Sequence, residues 1–212
     1  MDAIDKLKNG YRAFRDGHFE ERKTLYRELV EEGQRPKVAM IACADSRVSP
    51  GVMLASDPGE IFVIRNVANL VPPYQPDGSY HGTSAGLEYA VQHLKVEHIV
   101  VMGHAHCGGI RALFEDIKKG DDGCYFILPW IDIARAAHRQ ILETHPNDTV
   151  EQQAAACEKA AILGSLENLK TFPCIRDAVG EGTVQLHGWH IDIKEGLLTA
   201  YDEKTHKFAA VE

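Results

Sequence analysis

Residues 83–109 read TSAGLEYAVQHLKVEHIVVMGHAHCGG, and this stretch decides the fold. Thr83 to Leu94 predicts a helix, because Leu87, Ala90, Val91 and Leu94 recur on one face. Glu97 to Met102 (EHIVVM) is a short apolar run and predicts a buried strand. It leads into GHAHCGG, after which a further helix is expected from Ile110 to Lys119. Upstream, Val38 to Ala42 and EIFVIR (60–65) read as two more buried strands. Strand, helix, strand, helix is the order of an α/β domain: a central, mostly parallel β-sheet flanked by helices. Right-handed crossovers then bring the carboxyl ends of the strands to one edge of the sheet, where ligands bind in such folds.

The flanks read differently. Residues 1–31 predict an N-terminal helical arm, with Ile4, Leu7, Tyr11 and Phe14 as an apolar stripe that Leu25 and Leu29 continue. That stripe suits either the chain's own domain or a second copy. Gly33 ends the arm and Pro36 opens the sheet region. Helical patterns cover Pro129 to His145 and Thr149 to Lys170, the latter with Asn147 and Asp148 as a capping signal. Gly182 to Tyr201 alternates as a C-terminal antiparallel strand pair around Glu195-Gly196. No repeat or linker divides residues 1–212, so one domain is expected.

Composition narrows the function. The 212 residues are 44% hydrophobic and 25% charged, which suits a folded domain rather than a disordered or fibrous chain. A net charge of −8 with no basic stripe argues against nucleic acid as a partner. No apolar run is long enough to span a bilayer, and the first residues lack the apolar core of an export signal. The 5 cysteines (43, 107, 124, 157 and 174) are odd in number, so reduced thiols in the cytoplasm are expected.

Two segments carry the chemistry. Cys43, Asp45 and Arg47 follow the first strand, and His104 and Cys107 follow the third. A lone cysteine at a strand end is ordinarily a small buried apolar residue, and HxxC recurs by chance. Two such halves at strand ends, one followed by Gly-Gly, amount to three quarters of a tetrahedral zinc shell. With the fourth position open the site is catalytic; with Asp45 as fourth ligand it is structural.

CADSRV (43–48) with GHAHCGG (103–109) resembles the β-class carbonic anhydrases. RNVANLVPPY (65–74), residues 86–104 and LHGWHIDIKEGLL (186–198) resemble the same family, over about residues 10–202 in all. The resemblance implies one Zn²⁺ per chain on Cys43, His104 and Cys107, and reversible hydration of CO₂ to bicarbonate by attack of zinc-held hydroxide. It implies that Arg47 holds Asp45 off the metal and that Asp45 orients the nucleophile. It implies that the Gly108 amide holds a substrate oxygen. Gln34, Phe62, Val67 and Tyr89 match the substrate pocket of the plant-like branch, and Met40 stands where the other branch carries Trp. The family also implies a homodimer wrapped by its N-terminal helices, assembling to a tetramer or larger. Carbonyl sulfide or carbon disulfide hydrolysis, or an idle zinc scaffold, are the alternatives. His106 departs from the small residue usual at its place; a proton relay is one reading and an ordinary structural histidine the other. Cys124, Cys157 and Cys174 match no ligand position, and His187 and His190 are assigned to a subunit contact.

Overall fold

The computed structural model of the chain describes residues 1–115 and 125–211. Its strands are Val38–Cys43 (β1), Ile61–Asn66 (β2), His98–His104 (β3), Gln185–Asp192 (β4), Leu197–Asp202 (β5) and Lys207–Ala210 (β6). They form one sheet in the order β2-β1-β3-β4-β5-β6. β1 lies parallel to β2 and β3, and β3 parallel to β4, while β5 and β6 add antiparallel edges. The expected C-terminal pair is therefore part of a three-strand meander. β6 has four mostly exposed residues, so no apolar alternation announces it.

The helices include Ala3–Phe14 (α1), Lys23–Glu31 (α2), Gly82–Glu88 (α3), Gly108–Arg111 (α4), Arg135–Thr144 (α5), Val150–Leu169 (α6) and Pro173–Gly180 (α7), with further short helices at Pro50–Met53 and Ile127–Ile131. α3 continues to Leu94 as a wider, π-type turn. α4 starts earlier and is shorter than the sequence suggests. It passes into a 3₁₀ turn over Ala112–Phe114, and the expected extension to Lys119 lies partly outside the described residues, as does Cys124. α6 is capped by Thr149 rather than by Asn147 or Asp148. The Thr149 hydroxyl accepts from Gln152 N at 3.3 Å, and the Gln152 side chain accepts from Thr149 N at 2.9 Å. α7 was not expected. It opens on Pro173, tolerated where the helix leaves an N–H unused, and is too short to show a period.

Alternation along the central strands explains their continuous apolar sequence. Ile41, Ile99 and Val101 face Leu87 of α3, Ile162 and Leu169 of α6 and Ile175 of α7. Met40, Ala42, Val100 and Met102 point to the opposite face, against Val48, Met53, Leu54 and Trp189. α1 buries none of its residues, and Leu7 is 70% and Tyr11 59% exposed, so its stripe is not packed on its own domain. The arm is tied to the body just ahead of α2, where Arg22 Nε donates to Asp57 at 2.6 Å. Among the described residues, no helix is long and apolar enough to cross a membrane.

The chain leaves β1 for β2 on one side, and β3 lies on the other. The carboxyl ends of β1 and β3 therefore flank a crevice at a topological switch point, and Cys43 and His104 are the last residues of those strands.

Candidate metal centre

Cys43, His104 and Cys107 converge in that crevice. Their ligand atoms lie within 4.8 Å of one another and all three residues are buried. The two sulfurs are 4.0 Å apart. Two thiolates on one tetrahedral zinc would sit about 3.8 Å apart, so the spacing fits. His104 Nδ1 is 2.9 Å from the Ala105 carbonyl, which can only accept, so this nitrogen carries the proton. Nε2 is thereby left as an acceptor aimed into the cluster, and among the described residues it is the one buried side-chain polar atom without a partner. A buried nitrogen oriented by its neighbour and otherwise unsatisfied is what a metal ligand looks like. The residues present fit zinc.

The backbone prepares the sulfurs. The N–H groups of Asp45 and Ala68 lower the Cys43 pKa, and those of Ile110 and Gly109 lower that of Cys107. These amides form a local nest, since α4 is only four residues long and carries little dipole of its own. Between the two thiols, the hydrogen bond from Cys107 favours the Cys43 thiolate and pulls its pKa down. The same bond, with burial, pushes Cys107 up. A divalent cation in place of the shared proton lets both ionise. Ala68 and Asn69 take left-handed backbone angles, φ 63° and 48°, to bring this turn over Cys43. Asn66 braces the turn, accepting from Leu70 N at 2.9 Å and donating to the Leu70 carbonyl at 2.8 Å. Gly109 leaves room for it: a Cβ there would lie 2.9 Å from Ala68 Cβ.

Asp45 and Arg47 form a two-pronged pair. Arg47 Nε donates to Asp45 Oδ1 at 3.0 Å and Nη2 to Oδ2 at 2.7 Å, while the Arg47 backbone N–H adds a 2.9 Å bond to Oδ1. The Arg47 side chain, then its backbone N–H, holds the Asp45 carboxyl well below the usual carboxylate range. Asp45 Oδ2 still lies only 3.9 Å from His104 Nε2. Sequence reasoning missed Arg65 on β2. Its guanidinium donates to the carbonyls of Cys43 at 2.8 Å, Asp45 at 2.8 Å and also Val48, fixing the whole 43–48 loop. The RNVANL stretch holds this residue, but nothing in it signals three carbonyl partners.

The substrate residues named from sequence fall into two groups. Val67 and Gly108 stand beside the cluster. Val67 lies over Gly109, and its carbonyl accepts from Trp130 Nε1 at 2.7 Å. No atom stands within 4 Å of where a Cβ on Gly108 would be, so open space adjoins it. Phe62 and Tyr89 pair with each other at 5.9 Å between ring centroids. Phe62 is four residues before Asn66, the register partner of Cys43, which is about 13 Å down the strand. Gln34 is exposed ahead of β1. One chain does not bring these three to its own cluster. The histidine assignment needs correcting as well: His190 is buried inside the chain against Glu158 at 3.2 Å rather than at a subunit contact, and His187 meets His98 at 3.2 Å. His106 is exposed with φ 58° and contributes its carbonyl, which accepts from Arg47 Nη2 at 3.0 Å.

Two thiolates and one imidazole at the switch point of a parallel sheet, with the nearby carboxylate turned onto an arginine, define a mononuclear zinc enzyme with three protein ligands. Comparison with known proteins then names the family. A carbonic anhydrase family profile matches residues 38–198. A carbonic anhydrase of Synechocystis is 34% identical over 207 residues, 98% of this chain and 74% of that one. Beta carbonic anhydrase 3 of Arabidopsis thaliana is 37% identical over 204 residues, 95% of this chain and 78% of that one. The structure of the β-carbonic anhydrase CcaA matches with a TM-score of 0.91 at 33% identity, covering 99% of this chain and 92% of that one. A tetrameric β-carbonic anhydrase from Sordaria macrospora matches with a TM-score of 0.73 at 27% identity, covering 99% and 96%. The chain belongs to the carbonic anhydrase family, in its β class. It is a zinc enzyme whose reaction is the reversible hydration of carbon dioxide to bicarbonate.

Proposed function

We propose that the site works in the plant-like manner, open at neutral pH, with Arg47 holding Asp45 off the metal. The observation that carries this reading is the fork of Arg47 on both Asp45 oxygens, only 3.9 Å from the His104 nitrogen. Zinc, when bound, supplies Lewis acidity that makes water a nucleophile near neutral pH. Asp45, held ionised by Arg47, accepts a hydrogen bond from the attacking water and so aims its free lone pair at the CO₂ carbon. The Gly108 N–H meets the oxygen on which negative charge develops. Val67 forms an apolar wall that suits an uncharged substrate.

Gln34, Phe62 and Tyr89 belong, in this reading, to the pocket of a second copy. Their distance from the chain's own cluster supports this, as does the exposed stripe of α1, which has the form of an arm laid on a partner. A homodimer is then the smallest complete enzyme, and the tetrameric relative from Sordaria macrospora supports assembly beyond it. Ligand thiols that must stay reduced support a cytoplasmic location; Cys43 and Cys107 are free, as are Cys157 and Cys174.

Stopped-flow CO₂ hydration by zinc-loaded protein, at pH 7 and again near pH 8.5, tests the reading. Asp45 has a lowered pKa, so it is ionised from below its ordinary value of about 3.9 upward and does not titrate in this window. The acidity that zinc, when bound, would lend to water then sets the slope, and the rate at pH 7 should stay within about tenfold of the higher one. Activity confined to the higher pH contradicts an open site at neutrality.

A further inference from the structure

The peptide plane between His106 and Cys107 is gripped from both sides. Its carbonyl accepts from Arg47 Nη2 at 3.0 Å, and its N–H donates to Glu158 Oε1 at 3.0 Å. In a trans peptide these two groups point in opposite directions, so a guanidinium and a carboxylate hold one plane by opposite edges. The plane needs holding. His106 sits at φ 58°, a conformation few non-glycine residues adopt, and relaxation of that angle would rotate the plane. Glu158 is itself fixed. It is 5% exposed, on α6, and its second oxygen meets His190 Nε2 at 3.2 Å. His190 is 7% exposed, and its carbonyl accepts from the Thr199 hydroxyl at 3.0 Å, which ties it to the sheet. Both oxygens of this buried carboxylate are thus used, as burial of a charged group requires.

We infer that Glu158 and His190 are positioning residues that keep the metal centre open, acting through the peptide 106–107 on Arg47 and so on Asp45. The inference rests on the open-site reading above. Arg47 has two side-chain anchors, Asp45 and the His106 carbonyl. Without Glu158 the plane turns, the second anchor is lost, and the Asp45–Arg47 fork swings as a unit. Asp45 Oδ2 already lies near the ligand nitrogen, so a small movement brings it onto the metal.

Cobalt-substituted protein titrated with azide provides the test, read by visible absorption at neutral pH. An open position takes the anion and the spectrum changes; a position occupied by Asp45 does not. Glu158→Leu is expected to weaken the azide response at least about tenfold, while Glu158→Gln, whose amide oxygen still accepts from Cys107 N–H, stays within about twofold. Asp45→Asn added to Glu158→Leu should restore the response. An unaltered response in Glu158→Leu, or no recovery in the double variant, overturns the inference. Absence of any response in the unaltered protein sinks the open-site reading instead. Should Glu158→Leu fail to fold, His190→Phe is expected to weaken the response several-fold, and a response like that of the unaltered protein overturns the role of the pair.

Discussion

Replacement of Cys43 by alanine is expected to leave a folded chain that holds zinc at least about 100-fold more weakly and shows no CO₂ hydration above background. Cys43 is the last residue of β1, buried, and one of only three protein ligand atoms in the cluster. Structural zinc sites hold their ion with about 10–16 kcal/mol, so one of three ligands represents several kcal/mol. Alanine preserves strand pairing and removes a single sulfur, so the stability of the metal-free protein should fall by no more than about 1–2 kcal/mol. Competition with a chelator of known affinity measures the metal, and urea unfolding measures the fold. Cys157→Ala is the control. That thiol is fully buried and burial pushes its pKa up to about 12, so it is inert and its loss should leave zinc affinity unchanged. Full zinc retention in Cys43→Ala would mean that another group, Asp45 foremost, completes the site.

Asp45→Asn is expected to keep zinc and lower the hydration rate by roughly 10²–10³, the usual cost of losing an oriented hydrogen bond at the reacting centre. Asparagine has the size of aspartate but no charge. One of its two polar atoms donates rather than accepts, so the two-pronged hold of Arg47 is lost with the acceptor that aims the nucleophile. Stopped-flow rates with zinc content measured on the same sample separate the two effects. An unchanged rate at full zinc would remove Asp45 from the mechanism.

The cluster of Cys43, His104 and Cys107 was legible because each residue is tied to a pattern readable locally. Cys43 and His104 end apolar runs, and Cys107 follows at HxxC spacing with glycines behind it. The mostly parallel sheet followed from the helix that separates two such runs. What was not legible depends on contacts across the fold. Glu158 lies 51 residues from Cys107 and 32 from His190, inside a helix whose pattern does not mark it as buried. His190 occupies one position of a strand alternation, which gives no sign that it faces a buried carboxylate. Arg65 finds its carbonyls only because β2 runs beside β1. β6 and α7 are too short for a period, and α4 is shorter than its apolar sequence suggests. The residues expected at the substrate pocket rest on family resemblance alone. Gln34, Phe62 and Tyr89 lie away from the cluster of their own chain, and sequence matching carries no information on distance across the fold.

The most direct test of the central claim is the crystal structure of the zinc-loaded protein near pH 7.5. The account predicts zinc on Cys43, His104 and Cys107 at about 2.3 Å to sulfur and about 2.0 Å to nitrogen, with solvent in the fourth position. It predicts that Asp45 remains forked on Arg47. An Asp45 oxygen within about 2.2 Å of zinc, with Arg47 released, would contradict it.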